Sequence, residues 1–192
     1  MDDKWEHASS DTIRVSIQSK ERVSNFGDLP YPVQREFRWL SYPPDPNSVP
    51  AGTFDNVFCW VRSDGVTTYI ADSHNDKSVS FCDFQNEVVV AHAQTESSSL
   101  TKIFVHPENR HHYEAAHLLI SINEFLQENG KRLDSGTLTE TVKKDGWRAP
   151  ESYKVARAVW GALVTAGLVE PVPQKDGNGV PNRFQFIERK TS

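Results

Sequence analysis

Cysteine is nearly absent from this 192-residue chain, which carries only Cys59 and Cys82. Two cysteines cannot build the multi-bridge framework of a small secreted domain, and they do not form the CxxC pair of a zinc site. Each sits inside an apolar stretch, which predicts small buried hydrophobes. No apolar run approaches the roughly 18 residues that a membrane-crossing helix requires. The charged start, Met1-Asp-Asp-Lys-Trp-Glu-His, lacks the apolar stretch of a secretory leader. The expected location is the cytoplasm. GxSxG, P-loop and Rossmann glycine patterns are missing as well. Nothing therefore recommends an enzyme, and neither catalytic residues nor a cofactor is expected. No internal repeat is visible.

What is present describes a folded chain. Hydrophobic residues make up 37% and charged residues 24%, too apolar a mixture for a disordered protein. The net charge of −5 is unevenly spread: residues 1–129 carry −9 and residues 130–192 carry +4. An acidic body joined to a basic end points to an anionic partner for the latter, nucleic acid being the commonest.

Periodicity divides the chain into a β-rich part and a helical part. Thr12 to Lys20 alternates, with Ile13, Val15 and Ile17 on one side, and predicts a half-buried strand. Pro32 opens a helix in which Val33, Phe37 and Leu40 share a face. Crowded prolines make Tyr42 to Gly52 a loop. Val57–Val61, the turn Ser63-Asp-Gly and Val66–Ile70 predict a hairpin. Val79–Phe84, Glu87–Ala91 and Lys102–Val105 read as further strands. Strands that follow one another without intervening helices favour an antiparallel sheet. The polar stretch Gln94–Ser99 is the expected border between the halves.

Beyond it, Ala115, Leu118, Leu119, Ile122, Phe125 and Leu126 form one stripe of a helix that Asn129-Gly130 stops. Tyr113, Ala116 and Ile120 form a second apolar row. A helix apolar on two sides is expected to lie between two bodies, its own domain and either the β-rich part or a second subunit. A short helix follows, capped by Ser135 or Thr137 and carrying Leu138 and Val142. Pro150 and Glu151 start a third, with Val155, Val159, Ala162, Leu163 and Ala166 inward and Gly167 as its stop. Leu168–Val172 and Arg183–Ile187 then read as strands around a glycine-rich turn.

Histidines gather at His106, His111, His112 and His117, with Glu108 and Glu114 among them. The zinc-protease pattern needs two histidines four apart with Glu after the first. Here His112 and His117 are five apart, about 140° around a helix, so no metal site is expected. Asp72, His74 and Asp76 lack the glycine and closing glutamate of a calcium loop and read as a polar turn.

Three helices followed by a hairpin, with Leu138–Val142, Val159-x3-Leu163-x3-Gly167-Leu168-Val169, Phe184 and Phe186, resemble the winged helix-turn-helix family over Tyr113 to Glu188. The expectation is thus an α+β protein: an antiparallel β-rich domain at residues 11–105 and a winged helix at residues 106–192. The resemblance implies that the third helix enters the DNA major groove and the hairpin reaches the adjacent backbone. Arg157 lies opposite the apolar face of that helix with Lys154 beside it, Ser152 and Tyr153 occupy its first turn, and Arg148 precedes it. Lys143, Lys144, Lys175 and Arg183 are placed to hold phosphates. The expected function is a DNA-binding transcriptional regulator, dimeric through its β-rich part or the Tyr113/Ile120 face. The alternative is an adaptor or subunit whose winged helix binds protein in a larger nucleic-acid-processing or defence complex; Trp160 beside Val164 would supply the contact if exposed, although packing on the second helix is the commoner place for such a tryptophan.

Overall fold

A computed structural model describes residues 13–41, 56–73, 78–105, 113–135, 153–172 and 184–187. Six strands run through the first half: β1 (Ile17–Val23), β2 (Asn56–Arg62), β3 (Thr67–Ser73), β4 (Ser78–Gln85), β5 (Val88–Glu96) and β6 (Ser99–Val105). They form one sheet in sequence order, every neighbouring pair antiparallel. Short reversals make this possible. Gly65, at φ +84°, closes the β2–β3 turn predicted at Ser63-Asp-Gly. Asn86 and Glu87 both adopt positive φ between β4 and β5, the backbone that matches the right-handed twist of a hairpin.

Three boundaries differ from the sequence expectation. Glu87 belongs to a turn, and β5 extends to Glu96. Gln94–Ser99 is the end of β5 and its reversal into β6, so this polar stretch turns a hairpin and separates nothing. The first strand lies later than Thr12–Lys20. Its central residues Gln18 to Arg22 are exposed on both faces, so alternation carries no signal there, whereas Ile13 owes its apolar character to the core.

Register sorts the side chains between the faces. Phe58, Ile70, Phe81, Ala93 and Ile103 stand in one cross-strand row, and Trp60, Thr68, Asp83 and Ala91 in the next row of the same face. A helix, α1 (Tyr31–Ser41), covers the opposite face, where Phe26, Leu29, Val33 and Phe37 pack on Val57, Ala71, Cys82, Val89 and Phe104. Of the two cysteines, Cys82 is buried and Cys59 half-buried, where burial pushes its thiol up.

The face bearing Trp60 and Phe81 is covered by α2 (Tyr113–Glu128). Its predicted stripe is buried from Ala115 to Leu126. Phe125 is the keystone, with Phe58, Trp60 and Phe81 at 5.7–5.8 Å between ring centres. Gly130, at φ +73°, ends the helix. Its N–H donates to Gln127 O and that of Lys131 to Leu126 O, satisfying two carbonyls the helix leaves open.

Next come β7 (Asp134–Ser135), α3 (Tyr153–Thr165), β8 (Val169–Pro171) and β9 (Phe184–Phe186). The three strands make a small antiparallel sheet in the order β7-β9-β8. α3 packs on α2 through Val159, Trp160, Ala162, Leu163 and Ala166, so α2 does lie between two bodies, both within this chain. One hydrophobic cluster runs from Trp60 and Phe81 through α2 to Leu163, Val169 and Phe186. The molecule is thus α+β, with a large antiparallel sheet and helices on both its faces. The expected proline-rich loop and the short helix around Leu138 and Val142 lie outside the described residues.

Candidate functional site

The residues expected to meet DNA divide by position. Tyr153, Lys154 and Arg157 lie on α3, on a stretch whose backbone alone is described. Lys143, Lys144, Arg148, Ser152, Lys175 and Arg183 fall outside the described residues. Downstream on α3, Gly161, Val164 and Thr165 are exposed while Val159, Trp160, Ala162 and Leu163 are buried. At 100° per residue, positions 157 and 154 fall on the exposed side, one and two turns before Gly161.

Trp160 is buried, and the small sheet is what covers it. Only 1% of it is exposed, and its ring stacks on Phe184 of β9 at 5.3 Å and 7°. Periodicity puts this residue on a flank of α3, but only the tertiary fold brings β9 over that flank. Trp160 therefore anchors the small sheet and offers a partner nothing, whereas Val164, 38% exposed, does reach the surface. Ile120 is half-buried against the core and Tyr113 opens α2.

The densest titratable chemistry lies elsewhere, where the β2–β3 turn meets the start of α2. Arg62 ends β2 on the α2 side of the sheet and is fully buried. Its Nη1 donates to Asp83, an equally buried carboxylate in the adjoining row of β4. Nε and Nη2 donate to the two Asp64 oxygens at 3.1 and 2.8 Å, a forked pairing. Thr68 Oγ1 donates to Asp83 at 2.6 Å and lies 3.4 Å from Ser121 Oγ of α2. His117 Nδ1, one turn before Ser121, stands 3.5 Å from Asp64.

Electrostatics follow this geometry. Burial alone would lift the Asp64 carboxyl, but the bonds and charge of Arg62, the Val66 N–H and nearby His117 hold it below the ordinary carboxylate value. Burial opposes the Arg62 charge, yet Asp83 and Asp64 raise its pKa and keep it protonated. Complete burial drags Asp83 upward against the pull of Arg62 and Thr68. Glu114, in the first turn of α2, is also raised, by burial first and then by Asp83 and Asp64. Its Oε2 is buried with no hydrogen-bond partner among the described residues.

Turn chemistry is all that the sequence assigns to Asp64, and Glu114 and His117 are left a capping or surface role once a metal site is set aside. Among the described residues no group of three metal-binding side chains converges. The available signal was Asp83 itself: a carboxylate inside Phe81-Cys82-Asp83-Phe84 must be paired once that strand is buried. On the opposite face, His92 stacks on Phe104 at 5.0 Å, with Glu36 of α1 at 3.6 Å. At the β1 edge, a groove of about 600 Å³ is lined in part by Arg22, Asn56 and Asp72. Lys20 there already faces the Trp60 ring at 4.5 Å and pairs with Glu124 and Glu128 of α2. Among the described residues no helix is long and apolar enough to cross a membrane. Compared with known proteins, the chain matches no family model, no curated protein and no solved structure.

Proposed function

We propose that this protein binds duplex DNA as a transcriptional regulator, through a winged helix made by α2, β7, residues 136–152, α3 and the β8–β9 pair. The observation that carries the reading is the element order. A helix packed on α2 leads through a Gly167 stop into strands ordered β7-β9-β8, and its solvent side, at Gly161 and Thr165, continues along the helix to positions 157 and 154. A helix presented in this way is the part of a helix-turn-helix unit that enters the major groove. The +4 charge of residues 130–192, against −9 for the remainder, favours phosphate contact at this end alone.

Retention on duplex DNA at two salt concentrations tests the proposal. Binding is expected to weaken with salt by a log–log slope of about 0.9 for each phosphate contact. The double variant Arg157→Ala with Lys154→Ala should lose retention and about two units of that slope while melting close to the parent. Equal binding by parent and variant would sink the proposal. The exposed Val164 favours a second reading, an adaptor whose α3 side meets a protein partner. An adaptor would ignore DNA at low salt.

A further inference from the structure

The ion network under α2 holds three carboxyl groups, Asp64, Asp83 and Glu114, against one guanidinium. Arg62 gives Nη1 to Asp83 and spends Nε and Nη2 on Asp64. Thr68 gives its hydroxyl to the other Asp83 oxygen. Glu114 thus enters a network whose named donors are spoken for, with one oxygen buried and no partner for it among the described residues. As a carboxylate it would be a third anion in a poorly solvated space. Burial there favours the protonated form more than water does.

We propose that this network is a proton-operated latch on the start of α2: with a proton on Glu114 the first turns of the helix seat on the sheet, and loss of that proton frees them. The inference does not depend on the DNA-binding reading. Among the described residues the groups facing Glu114 are Arg62 of β2, Asp64 of the turn and Asp83 of β4, with His117 one turn along α2. Burial and the two aspartates raise the Glu114 pKa in the folded chain, and its own backbone N–H and Arg62 offset only part of that. A group raised on folding contributes stability that is complete below its unfolded value and is lost as pH rises through its folded value. Asp64 is shifted the opposite way and acts only on the acid side. The far end of α2 is held by Phe125 among Phe58, Trp60 and Phe81, contacts that do not titrate. Opening is therefore local to the beginning of the helix.

Amide hydrogen exchange on the full chain reads this directly. After correction for intrinsic exchange, protection over residues 113–119 should fall about tenfold as pH rises from the ordinary 4.5 of a glutamate to the alkaline side of neutral, while residues 122–128 change little. Glu114→Gln should keep the first segment protected throughout, and Glu87→Gln, in the exposed β4–β5 turn, should behave as the parent. A parent whose protection does not depend on pH, or a Glu114→Gln chain with the parent's slope, overturns the latch. Should Glu114→Gln not fold, carboxyl-carbon NMR of the parent decides. A Glu114 titration above the ordinary 4.5 of a glutamate sustains the proposal, and one at that value ends it.

Discussion

Arg62 and Asp83 meet inside the sheet–helix interface with neither side chain exposed. Such a pair recovers its desolvation cost only because Asp64 and Thr68 complete its hydrogen bonds. Removing one partner leaves the other charged and buried. Asp83→Ala should cost about 3–5 kcal/mol in urea unfolding, whereas the double change Arg62→Leu with Asp83→Leu should cost clearly less. If the double variant is as damaged as the single one, shape and not charge governs the site. The network also aligns the start of α2 with the sheet, since Thr68 and Ser121 face each other across the interface at 3.4 Å.

Among the elements, α3 is defined by its ends as much as by its faces. Gly167, at φ +74°, lets its own N–H reach Val164 O and that of Leu168 reach Leu163 O. Arg14, from the segment before β1, donates to Ala166 O at 2.6 Å and brings a positive charge to the helix C-terminus, where it is favoured. Gly167→Ala would place its Cβ 3.8 Å from that guanidinium, an ordinary contact, so the penalty is conformational. It should be about 1–2 kcal/mol, measured as a lowered urea midpoint at unchanged slope. A neutral outcome would mean that the backbone there relaxes out of the left-handed region. Trp160 completes the element by tying α3 to β9, which fixes the small sheet against the helix.

For the whole molecule, one cluster of buried side chains joins the six-stranded sheet, α2, α3 and the small sheet. Arg14 adds a polar tie between the segment before β1 and the end of α3. Parts that share a core unfold together. Calorimetry should therefore show one transition whose calorimetric and van't Hoff enthalpies agree, and Phe125→Ala should lower it as a unit at a cost of about 3–5 kcal/mol. Two resolved transitions, with only the first moved by that substitution, would show that the sheet and the α3 end are independent.

Much of this was legible in the residues. Apolar β-forming runs and the Ser63-Asp-Gly turn announced β2 to β4, helical spacing announced α1, α2 and α3, and Gly130 and Gly167 marked the helix ends, because these signals are local and repeat within a turn or a strand pair. The double apolar stripe of α2 even foretold that it would be packed on two sides. The position of β1 was not legible, since an edge strand exposed on both faces has no period to read. Trp160 could be assigned a flank but not its neighbour β9, and Arg62, Asp64, Asp83, Glu114 and His117 come from three separate stretches of chain. Local chemistry chooses helix, strand and turn, because each is closed by bonds between near neighbours. Which charges share a buried space depends on contacts between residues distant in sequence, and only the assembled core brings those together.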